Sequence, residues 1–182
     1  LNGAEEVMTL RPFEERDLGS RVRIIWQGAE YRGRGRQTTW SGNASFTGAS
    51  IRKMEKINAW NHEKPIEQMD SHTVTWNTLT TGNFGGVDLW LDESSGAELG
   101  ISTNHVNGKF ALADIGLSDT VLEAGGLERK IRIFRLPELN PVREWSHSVR
   151  VPVSDTGDNP LWVRVTTEDG FLAWSSPIFL YR

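Results

Sequence analysis

Alternation with a period of two runs through almost the whole chain, and this limits the fold more than any other feature of the sequence. In Arg21–Gln27, Val22, Ile24 and Trp26 fall on one side of an extended strand. In Thr38–Phe46 the same phase selects Trp40, Gly42, Ala44 and Phe46, and in Thr73–Leu79 it selects Val74 and Trp76. Val87, Leu89 and Leu91 share a side, leaving Asp88 and Trp90 opposite. Successive side chains of a strand point to opposite faces, so this pattern describes half-buried strands rather than helices.

Further strands are predicted over Leu99–Ile101, Lys109–Ile115, Arg129–Leu136, Trp145–Val153, Leu161–Thr167 and Phe171–Trp174. Turn residues separate them: Gly42-Asn43, Gly82-Asn83, Gly85-Gly86, Asn107-Gly108, Gly125-Gly126 and the Glu168-Asp169-Gly170 hairpin signal. The one helical candidate is a turn or two around Ser118–Ala124. Short strands with closely spaced turns specify an all-β, antiparallel two-sheet β-sandwich, immunoglobulin-like or jelly-roll-like, with little helix. Since no repeat, low-complexity tract or linker interrupts the pattern, residues 1–182 are read as a single domain. The chain opens on Leu1, and it is expected to be a fragment of a larger protein or a processed product.

Composition narrows the function. Hydrophobic residues make up 37% and charged residues 24%, as in an ordinary globular domain. The net charge of −4 argues against a general nucleic-acid coat and against an anionic membrane surface. No apolar run reaches the ~18 residues of a membrane-spanning helix. With no cysteine, disulfides and zinc–thiolate sites are both ruled out.

No catalytic constellation is legible. The four histidines, His62, His72, His105 and His147, stand far apart in sequence, and no metalloprotease, nucleophile-elbow or phosphate-loop motif occurs. His147 shares a phase with Val149, Val151 and Val153, as a half-buried histidine would. No catalytic residue, transition-metal site or cofactor is therefore expected.

Three features carry binding potential, each with a plainer alternative. Arg32, Arg34 and Arg36 alternate with glycines after Tyr31, and three guanidinium groups suit a phosphate or sulfate. The alternative is a solvated loop whose arginines pair with the acidic stretch Glu5, Glu6, Glu14, Glu15 and Asp17. Among the eight tryptophans, Trp26, Trp40, Trp76 and Trp145 are in phase with aliphatic neighbours and are expected in the core. Trp90 and Trp162 fall out of phase and Trp60 is ambiguous, so these three are candidate ligand- or partner-binding residues. Finally, Asp155, Asp158 and Asn159 form an oxygen-rich loop that suits calcium, although a simple Asx-turn uses the same residues.

One resemblance adds to this reading. The stretch Leu161-Trp162-Val163-Arg164-Val165-Thr166-Thr167-Glu168-Asp169-Gly170, followed by Ala173-Trp174-Ser175-Ser176-Pro177-Ile178, resembles the closing hairpin of large bacterial proteins. These are similar to metal-dependent phosphoesterases of the polymerase-and-histidinol-phosphatase (PHP-like) type. The earlier element Arg36-x-x-x-Trp40-x-Gly42 fits the start of their C-terminal region. The resemblance implies a β-sandwich following a metal-binding catalytic barrel. The histidine and carboxylate clusters of that barrel have no match here, so no catalytic residue carries over. The chain is thus expected to be a non-catalytic accessory module whose partner is a neighbouring domain of the same polypeptide. A carbohydrate-binding module is the alternative, and an independent enzyme the second alternative.

Overall fold

The structure, a computed structural model, describes residues 19–31, 33, 36–59, 65–137, 146, 148, 150–166 and 172–180. The chain separates into two compact units, Leu1–Pro141 and Val142–Arg182.

In the first unit the alternating segments become β1 (Arg21–Ala29), β2 (Thr38–Ile57), β3 (Ile66–Gln68), β4 (Thr73–Thr80), β5 (Phe84–Thr103), β6 (Asn107–Ala111), β7 (Thr120–Glu123) and β8 (Leu127–Leu136). They form one antiparallel sheet in the order β3-β4-β2-β5-β1-β8-β7, with β6 added on β5. Its layout depends on β2 and β5, each 20 residues long, where strands are usually about 3–10. The first half of β2 pairs with β4 and with the far end of β5 (Gly42↔Thr103 to Thr47↔Glu98). Its second half pairs with the start of β5 (Ala49↔Glu93 to Ile57↔Gly86), and β1 lies beside that same part of β5.

Each long strand therefore belongs to two layers, and the sheet folds over on itself. Register shifts between Thr47 and Ala49 and between Ile51 and Lys53 mark the bend. There Gly48 adopts φ +72°, in the left-handed region that favours glycine, and its carbonyl accepts a 2.7 Å hydrogen bond from Ser94 Oγ. The layers meet face to face: Trp26 of β1 stacks on Trp76 of β4, ring centroids 4.6 Å apart and 8° from parallel, although these strands share no ladder. The fold is all-β and sandwich-like, as the alternation predicts.

Between the layers lies one large core, including Val22, Ile24, Trp40, Phe46, Leu89, Leu99, Ile131 and Ile133, all buried. Gly85 is required beside it, because a Cβ there would lie 2.7 Å from Trp26 Nε1. A relay secures Trp40, whose Nε1 donates to Thr80 Oγ1 (3.1 Å), which donates to the Gly28 carbonyl (2.9 Å). Among the described residues neither Trp26 Nε1 nor Trp76 Nε1 finds an acceptor.

Some predicted elements differ. Ser118–Ala124 holds β7 and no helix, since Thr120–Glu123 pairs with Ile133–Lys130 of β8. Lys109–Ile115 is a strand only to Ala111, and a 3-10 turn then covers Leu112–Asp114. Among the described residues of Trp145–Val153 no strand forms, and Trp145, His147 and Val149 lie outside the described residues. Leu161–Thr167 is broken at Trp162-Val163, because its two ends take different partners. In the second unit β9 (Asn159–Leu161) pairs with β12 (Ile178–Leu180), whereas β10 (Arg164–Thr166) pairs with β11 (Leu172–Trp174).

Candidate interaction surface

Trp90 stands on the face of β5 opposite the main core, where its phase places it, but it is half-buried. Lys53 Nζ lies 4.4 Å from its ring centroid and the Arg21 guanidinium carbon 5.4 Å, so cations border the indole. Beside it Arg23 grips Asp88 through two hydrogen bonds of 2.6 and 2.7 Å, both residues being buried. Period two places Asp88 and Arg23 on this face, but nothing in the alternation indicates that the face is covered. Lys53–Glu55 (2.6 Å) and Arg52–Asp92 (3.1 Å) balance the surrounding charge. This is an electrostatically closed surface rather than an apolar platform.

The other polar candidates are engaged in holding the backbone. His72 Nδ1 lies 2.7 Å from the Ala49 carbonyl and His105 Nε2 2.9 Å from the Thr39 carbonyl. The Asp70 carboxylate accepts the His72 amide at 2.7 Å, and that backbone hydrogen bond holds its pKa below the ordinary aspartate value. Arg36 is exposed, and its Nε donates to the Thr81 carbonyl at 3.1 Å. Arg32, Arg34, Trp60 and His62 lie outside the described residues. Among the described residues no group of three histidines or carboxylates is placed to hold a metal ion.

The loop before β9 is built as a side-chain-closed turn. Asn159 Oδ1 accepts the Ser154 amide (2.7 Å), and Asn159 Nδ2 donates to the Ser154 carbonyl (3.1 Å) and the Leu180 carbonyl (3.3 Å). Asn159 thus spends its amide on joining β9 to β12, while Asp155 and Asp158 are exposed.

The second unit carries most of the exposed large apolar side chains among the described residues. Trp162 is 55% exposed, as its phase predicts, and Trp174 is 62% exposed. Val165, Leu172, Ile178 and Phe179 are each about half exposed. Trp162 lies in the break between β9 and β10, and the others sit on the two ribbons β10–β11 and β9–β12, each of only two strands. A two-stranded ribbon is marginal in water unless something covers it, so this surface suits a partner better than solvent. Trp174 is the residue that alternation misses. Its strand spans three positions, too few to define a phase.

No protein-family model matches the chain, and no curated protein or solved structure matches it either.

Proposed function

We propose that this chain is a non-catalytic interaction module, accessory to a catalytic domain of the metal-dependent phosphoesterase kind. The observation that carries the reading is the second unit, which presents Trp174 and four further half-exposed apolar side chains on two short ribbons, with Trp162 exposed between β9 and β10. Large apolar surfaces of this kind mark binding sites on folded proteins. The polar groups of the first unit add support, since the buried Arg23, Asp88 and Arg135 are spent on ion pairs and backbone carbonyls, and the ring nitrogens of His72 and His105 lie against backbone carbonyls. The phosphoesterase context rests on the hairpin sequence Leu161–Ile178 alone.

Carbohydrate binding is a second reading, favoured by one observation: two exposed indoles in one small unit. One experiment separates the two. The whole chain and its Trp162→Ala and Trp174→Ala variants are titrated with a glycan panel by tryptophan fluorescence. They are also assayed for association with themselves and with a phosphoesterase-type catalytic domain encoded in the same reading frame. Protein association lost in the variants, with no glycan response, is the expected outcome. Glycan quenching lost in the variants would replace the proposal with the carbohydrate module.

A further inference from the structure

We draw no further inference here: the strongest candidate, the patch of exposed apolar side chains around Trp174 on the β10–β11 ribbon, belongs to the surface already described, and nothing in the structure shows what covers it.

Discussion

Replacing Arg135 with methionine removes a clamp at one end of the first unit and leaves an aliphatic stem of similar length. Arg135 lies on the core side of β8, opposite Val22, with a side chain 7% exposed. Its guanidinium binds both carboxylate oxygens of Glu93 (2.6 and 2.7 Å) and the carbonyls of Leu112 and Ile115 (3.0 Å each) and Gly19 (3.2 Å). One side chain thus joins β8 to the middle of β5, to both ends of the 3-10 turn, and to the segment entering β1. Removing one partner of a buried ion pair costs about 3–5 kcal/mol, because the other charge is left without compensation. The Glu93 side chain is 23% exposed and recovers some hydration, which puts the expectation near the lower end, about 3 kcal/mol. That is a large share of the ~5–15 kcal/mol that holds a domain together. Urea unfolding followed by tryptophan fluorescence measures it. The Arg135→Met/Glu93→Gln double variant is expected to lose little more than the single, since the isolated carboxylate is then gone. A loss below about 1 kcal/mol for Arg135→Met, or full additivity in the double variant, would refute the clamp.

Other consequences follow from the core and the turns. Trp76→Ala is expected to cost about 3–5 kcal/mol and to abolish the exciton dichroism of the Trp26–Trp76 stack. Trp76→Phe should cost less than about 1.5 kcal/mol, since it also removes an indole N–H that finds no acceptor among the described residues. Gly85→Ala is expected to destabilise by about 1–3 kcal/mol because its Cβ meets the Trp26 ring. Gly100→Ala, whose nearest neighbour is the Ser45 hydroxyl at 3.1 Å, is the milder control in the same denaturation assay. At low pH the turn at Asp70 should open late. Its depressed pKa means that its contribution is complete above the ordinary aspartate value and is lost only as pH falls through the lower, folded value. A carboxyl NMR titration should place its midpoint below ~3.9, and Asp70→Asn should remove that step.

How far the sequence reveals this molecule depends on the range of each constraint. Alternation is local, and it places Trp26, Trp40 and Trp76 inside, and Trp90 and Trp162 outside the aliphatic set. The path of the sheet is not local. Thr38–Phe46 reads as a short strand, as do Val87–Leu91 and Leu99–Ile101. In the fold the first belongs to β2 and the other two are parts of β5, because glycines and register shifts carry each long strand around a bend. Gly42-Asn43 and Gly85-Gly86 read as turns but lie inside β2 and β5. Burial on the second face is equally invisible, so Asp88 reads as a surface residue and proves to be half of a buried ion pair. In the second unit, partner choice overrides pattern. Leu161–Thr167 is divided between two ribbons, and Trp174 is exposed on a strand too short to read.

Amide hydrogen exchange with and without a phosphoesterase-type catalytic domain tests most directly the proposal that the second unit is a docking surface, because it reads each strand separately. Amides of β1, β5 and β8 should be protected equally in both samples, whereas those of β10 and β11 should exchange quickly in the chain alone and gain protection when the domain is added. Strong protection of β11 in the chain alone would contradict the proposal, as would fast exchange of β11 in both samples.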